Sequence, residues 1–243
     1  MSNLICRLRS SILAESMAPL DWNEHWALQE EPEGATKFAV EMADRLGRFI
    51  DERDIDNVAD LGCGPATTLF ELAGMYPRID FYGFDIAESV TRKNKEKAEK
   101  DGLRNIFFET DELPDTRTLR RFDLVICFST LHYIKDIGSA LRSLFELVNP
   151  YGHLIFNYPS IHTKRSYEKD YQGDEYMKKR FSILLSGDNV TSQREINRLL
   201  GVRPRKFYSS KIFNIYVRVR KPRSPLLEGH SPGVYHPGWR TGA

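Results

Sequence analysis

Val58-Ala59-Asp60-Leu61-Gly62-Cys63-Gly64-Pro65-Ala66 is the stretch on which the fold turns. An apolar run of strand length ends in a carboxylate, and two glycines follow with one residue between them. Glycine directly after a strand permits a tight turn and lets a bound molecule touch the main chain, with the amides of the next helix aimed at it. A second apolar run, Phe81–Phe84, ends in Asp85, about twenty residues beyond the glycines, the offset at which such a site places its ribose acid. A carboxylate there can accept hydrogen bonds from both hydroxyls of a ribose. The two features predict a nucleoside site at the carboxyl ends of neighbouring strands.

Outward from this pair the chain alternates short apolar runs with helical patterns. Val58–Leu61, Phe81–Phe84, Ile106–Phe108, Leu124–Phe128 and Leu154–Tyr158 read as strands, each continuous rather than alternating, as expected where both faces of a parallel sheet are covered. Between them lie helical segments at Thr68–Met75, Glu88–Lys100 and Ser139–Val148. Before them, Ala35–Arg53 sets Phe38, Met42, Leu46, Phe49 and Ile50 at helical spacing. Asn149-Pro150-Tyr151-Gly152 reads as the stop of one helix and the turn into the fifth strand. Ser192-Gln193-Arg194-Glu195 is a capping box opening a short helix, and Lys206–Ser210 with Phe213–Val219 reads as an antiparallel hairpin. The expected fold is α/β: a doubly wound, mostly parallel seven-stranded sheet with a terminal antiparallel hairpin strand and helices on both faces. Residues 1–34 form an N-terminal cap segment and 35–221 one domain. Within it, 160–190 is a lid-like insertion holding a helix over Asp174–Leu185. The Pro- and Gly-rich stretch 222–243 reads as a disordered tail.

Charge decides which nucleoside ligand suits the site. A dinucleotide needs Gly-x-Gly-x-x-Gly and a surrounding free of acid for its pyrophosphate. Here residue 67 is Thr, and Asp60 stands just before the glycines, where a pyrophosphate would be repelled. S-adenosylmethionine (SAM) has no phosphate and carries an ammonium, which Asp60 would attract. Both points favour SAM over a nicotinamide dinucleotide.

With these residues in view the chain resembles the class I SAM-dependent methyltransferases, especially their small-molecule and natural-product branch. The resemblance covers Asn57–Ser160 closely and Ser192–Arg220 more loosely. It implies that Asp60, Gly62, Cys63 and Gly64 form the first cofactor motif, with Ala66 in place of a third glycine. It implies Asp85 as the ribose acid, Ile86 as the apolar residue against adenine, and Asp111, with Glu112 beside it, as the acceptor for the adenine amino group. Phe122–Ser129 resembles the fourth motif, which brings Phe128 to the cofactor, and Leu131-His132-Tyr133 the segment after it. Asn149–Gly152 resembles the family's Pro-Gly-Gly turn, with Tyr151 in a glycine's place.

The acceptor is written more faintly. Transfer from a sulfonium needs alignment, and a base only if the nucleophile keeps its proton. His132 is the histidine placed for that role. Trp22, Trp26, Tyr133 and Tyr158 are the expected acceptor-pocket residues, roofed by 160–190. A small molecule is the expected acceptor, with transfer to oxygen or nitrogen. No Asn/Asp-Pro-Pro-Tyr signature of amino-group methylases occurs; Phe128-Ser129-Thr130-Leu131 stands there.

The net charge of +1 conceals an imbalance: residues 1–160 carry 18 Lys+Arg against 27 Asp+Glu, and 161–243 carry 17 against 7. Gly201–Arg223 holds eight basic residues and no acid. These are either solvated flanks of edge strands or a face for a phosphate-bearing or nucleic-acid acceptor. An RNA or protein methyltransferase, or a non-catalytic SAM-binding partner, are the alternatives. No apolar run is long enough to span a membrane, and no metal-ligand spacing joins Cys6, Cys63 and Cys127. The expected setting is the cytoplasm, with reduced thiols, no metal and no membrane; the oligomeric state is left open.

Overall fold

A computed structural model describes residues 20–27, 37–209 and 215–222. Most of the expected cap segment, the hairpin turn 210–214, Cys6, the side chain of Phe38 and the tail from residue 223 lie outside the described residues. In chain order the elements are α1 (Trp22–Ala27), α2 (Lys37–Asp51), β1 (Asn57–Leu61), α3 (Thr67–Met75), β2 (Asp80–Asp85), α4 (Glu88–Lys100), β3 (Ile106–Thr110) and β4 (Phe122–Cys127). After a 3-10 turn at Leu131–Tyr133 come α5 (Ile137–Glu146), β5 (Val148–Asn157), α6 (Ile161–Asp170), α7 (Glu175–Arg180), α8 (Ser182–Ser186), α9 (Gln193–Leu200), β6 (Arg205–Ser209) and β7 (Ile215–Arg220).

The strands form one sheet in the order β3-β2-β1-β4-β5-β7-β6. The first five are mutually parallel, and β7 runs antiparallel to both β5 and β6. Strand order reverses between β1 and β4, so the loops after those strands splay apart and leave a crevice at their carboxyl ends. Successive residues of each strand feed opposite cores, which is why the runs are apolar throughout. Val58, Leu124, Ile126 and Ile155 join Leu46 of α2, Leu69 of α3 and Ala98 of α4 on one face. Ala59, Val125, Cys127 and Leu154 join Leu141 and Leu144 of α5 and Ile196 of α9 on the other. Phe81, Phe84, Phe122 and Phe156 are fully buried, each worth roughly 1.5–3 kcal/mol of transfer free energy.

Three local readings are corrected. The helix expected at Ser139–Val148 starts earlier, at Ile137, because Asp136 caps it by accepting the Ser139 N–H at 2.9 Å. Val148 belongs to β5, where it pairs with Phe122 before the register jumps to Leu124–His153. The helix expected over Asp174–Leu185 is two short ones, broken at Phe181. A further helix, α6, precedes them, capped by the Ser160 hydroxyl on the Thr163 N–H at 3.1 Å. Of its residues only Thr163 is buried, so no apolar stripe announces it.

Candidate active site

The first loop owes its shape to its neighbour. The Gly62 and Cys63 N–H groups donate to the Phe84 carbonyl at 2.7 and 2.9 Å. Gly62 has φ +78°, and a Cβ there would come within 2.2 Å of Thr130 Oγ1, so glycine is demanded both by conformation and by space. The Asp85 carboxylate accepts the Gly64 N–H on one oxygen and the Ala87 N–H on the other, both at 2.9 Å. Asn94, fully buried in α4, donates its amide to the Gly64 carbonyl at 2.7 Å. The Gly62–Gly64 turn and the tip of β2 are therefore one hydrogen-bonded unit.

Asp60 is 6% exposed, and its Oδ1 accepts no hydrogen bond. Burial, with a smaller contribution from the nearby Asp85 charge, pushes its carboxyl up to about 8. A buried carboxylate left without a donor is costly, and it fits a ligand that brings a positive group. Burial also raises Asp85, against the pull of its two backbone N–H donors.

Two adjoining cavities open here, of about 570 and 260 Å³. Gly62, Cys63, Asp85, Ile86, Asp111 and Phe128 line the larger one, with Glu112 at its margin. Asp60, Gly62, Ala66, Thr67 and His25 line the smaller. Ile86 is 47% exposed into the larger space, an apolar surface suited to a flat ring. Asp111 is buried, and its carboxylate already accepts the N–H groups of Glu112, Arg117 and Thr118 at 2.9–3.1 Å. Its first duty is to shape its own loop; Glu112, exposed beside it, is the freer acid. Among the described residues no group of three His, Cys, Asp or Glu side chains is arranged to hold a metal. Burial raises the thiols of Cys63 and Cys127, which stay protonated and unreactive.

The roof comes from outside the sheet. Helix α1 is pinned to α4: Ser89 donates from its N–H and hydroxyl to Asn23, and Lys93 donates to the Trp26 carbonyl at 2.7 Å. This sets Trp26 over Gly64, where an added Cβ would meet its ring at 3.2 Å. Trp22 and Tyr133 meet edge to face, their ring centres 4.7 Å apart. Asn189, wholly buried, donates to the carbonyls of Leu131, His132 and Ile134 at 3.0–3.1 Å and so fixes the turn that presents Tyr133. Phe181 is 7% exposed and packs on Tyr133, Tyr167 and Tyr171, binding the short lid helices to that turn.

Trp22, Trp26 and Tyr133 line the larger cavity; His132 and Tyr158 line neither. His132 is 1% exposed, lines neither cavity, and stacks its ring on Tyr167 at 6.1 Å. The one-residue step along a tight turn sends Tyr133 to the cavity and His132 behind it. Tyr158, 3% exposed, is a core residue beside Phe156 and Ile196. Sequence reasoning missed His25 and Arg180, which reach the site only through the docking of α1 and α7. Burial, then the Arg180 charge, lowers the His25 pKa. Of the basic stretch, Arg205, Arg218 and Arg220 lie on β6 and β7, remote from both cavities. Lys211 and Arg223 lie outside the described residues.

Comparison with known proteins decides the family. A family model described as a methyltransferase domain matches residues 53–201. The chain belongs to the class I SAM-dependent methyltransferases. Malonyl-[acyl-carrier protein] O-methyltransferase of Bacillus anthracis is 22% identical over 154 residues, 60% of this chain and 56% of that one. Trans-aconitate 2-methyltransferase of Deinococcus radiodurans is 29% identical over 122 residues, 50% of this chain and 45% of that one. The matches thus span about half the length of these curated relatives. The crystal structure of the N-methyltransferase NodS from Bradyrhizobium japonicum, in complex with S-adenosylhomocysteine (SAH), superposes with a TM-score of 0.58 at 15% identity. That match covers 82% of this chain and 96% of NodS, and bears on the fold alone. The methyltransferase has no described helix long and apolar enough to cross a membrane.

Proposed function

We propose that this methyltransferase passes the methyl group of SAM to an oxygen or nitrogen of a small molecule. The observation that carries the reading is the coupled pair of acids at adjacent strand tips. Asp85 is tied to the glycine turn, and Asp60 is buried behind it with an oxygen that accepts nothing. SAM supplies an activated methyl on a sulfonium. Asp85 would hold the ribose hydroxyls, and Asp60 and Gly62 the amino-acid end. Ile86 and Phe128 would flank the adenine, with Glu112 or Asp111 beside its amino group. Trp22, Trp26 and Tyr133 close the larger cavity from above, which excludes water and orients an acceptor of small size. The lid-like insertion 160–190 and helix α1 act as that roof on one domain.

His132 is not assigned as a base, since it is buried and lines neither cavity. His132→Ala should change turnover by only a few-fold, with SAH affinity intact. A hundred-fold loss would restore the base role. The free, buried thiols of Cys63 and Cys127 support a reducing, cytoplasmic setting. The test of the function is methyl transfer from radiolabelled SAM into cell extract separated into small-molecule, protein and RNA fractions, with Asp85→Ala as the blank. Label in the small-molecule fraction supports the reading. Label in RNA would point to the cluster on β6 and β7, with steep salt dependence of binding. SAH binding with no labelled fraction would point to a non-catalytic partner.

A further inference from the structure

Arg180, at the last position of α7, lines both cavities. Its Nε donates to the Tyr133 hydroxyl at 3.2 Å, which fixes the side chain. Its guanidinium carbon lies 5.9 Å from the Trp22 ring, 6.0 Å from Tyr133 and 5.7 Å from Phe181. Of the other charged groups at the mouth, Lys135 lies 3.7 Å from Asp188, Asp136 caps α5 and Asp111 holds its own loop, while Glu112 is an exposed acid that would repel an anion rather than receive it. Arg180 has no carboxylate partner among the described residues, and its two terminal nitrogens meet no acceptor there. A half-buried guanidinium, braced by one hydroxyl and three aromatic rings, presents a fork of donors to the cavity, the geometry that binds a carboxylate through two parallel hydrogen bonds.

From this placement we infer that the acceptor of this methyltransferase carries a carboxylate, and that Arg180 is its receptor and a specificity determinant. The inference rests on the methyl-transfer reading above. The carboxylate of SAM offers the same chemistry from a second source. Arg180, however, belongs to the lid and its Tyr133 and Trp22 neighbours, whereas the acids suited to SAM stand on the sheet loops.

The experiment is calorimetric titration of the SAH-saturated protein with matched probes: succinate, glutarate and benzoate, each against its amide. SAH binding is measured separately for wild type, Arg180→Gln and Arg180→Lys. At least one acid should bind about ten-fold or more tightly than its amide, the value of a charge-assisted pair. Arg180→Gln should erase that preference and Arg180→Lys recover part of it, with SAH affinity held within about three-fold throughout. Three results would overturn the inference: no acid preferred over its amide by wild type, a preference that survives Arg180→Gln, or a ten-fold loss of SAH affinity in Arg180→Gln. The last would assign Arg180 to the cofactor. Failure of wild type to bind SAH at all would instead remove the methyl-transfer reading.

Discussion

The strand tips of β1 and β2 and the lid over them are built on opposite plans. At the tips, buried polar groups do the holding: Asp85 takes two backbone N–H groups, Asn94 donates to Gly64, and Phe84 receives Gly62 and Cys63. In the lid, short helices with few buried residues are bound by rings around Phe181 and by one buried amide, Asn189. The first plan gives a rigid floor whose geometry depends on single atoms. The second gives a roof held by a few contacts, the kind of region in which local opening costs less free energy than in a densely hydrogen-bonded one. A methyltransferase has use for both, because its cofactor is constant and its acceptor must enter and leave.

The strongest way to test the floor is pH. In the ligand-free protein Asp60 keeps its proton to about pH 8, whereas in an unfolded chain it loses it near 4. Between those values the folded state holds the extra proton, so stability should fall as pH rises, by an amount on the order of several kcal/mol. Asp60→Asn should flatten thermal melts recorded across that window. Saturating SAH, which brings an ammonium, should flatten them too. A melting temperature indifferent to pH in wild type would mean that Asp60 is ionised throughout.

Asp85→Ala comes next. It removes the acid proposed to hold the ribose together with the tie to Gly64, and should weaken SAH binding by about 100-fold, or close to 3 kcal/mol, while circular dichroism stays native. Asn189→Ala attacks the roof. Loss of its three hydrogen bonds should cost about 2 kcal/mol of stability and lower kcat more than it alters SAH affinity. An equal loss of SAH affinity would show that floor and roof are one unit. The smallest effect is expected at the far end of the sheet. Tyr151 adopts φ +66°, a conformation that favours glycine, so Tyr151→Gly should raise stability by up to about 1 kcal/mol without touching binding. Its partial offset is the lost contact with Arg220, whose guanidinium lies 5.4 Å from the ring.

Much of the floor was legible in the chain. Asp60, Gly62, Gly64 and Asp85 sit in two short windows, and each does a job that few residue types perform, so the pattern survives without neighbours. The five central strands were legible because continuous apolar runs have one explanation in an α/β sheet. The lid was read less well. Helix α6 carries Tyr, Lys and Glu on nearly every face, so no period stands out, and the break at Phe181 follows from that ring turning inward to three tyrosines. The choice between His132 and Tyr133 as the cavity residue was equally out of reach. In a strand or a regular helix the period would settle it; in a 3-10 turn pinned by Asn189, from 55 to 58 positions away, it does not.

By itself the sequence determined the parallel sheet, its terminal hairpin, the glycine turn and the positions of the two acids at the strand tips, because strand burial and tight turns depend on spacing within a few residues. Tertiary structure alone decided that Asp60 is buried with an oxygen that accepts nothing, that Tyr158 is core, that Trp26 covers Gly64 and that Arg180 reaches the cavity. Those facts join segments as far apart as Trp22 and Arg180, through helix docking and ring packing that leave no local period in the chain.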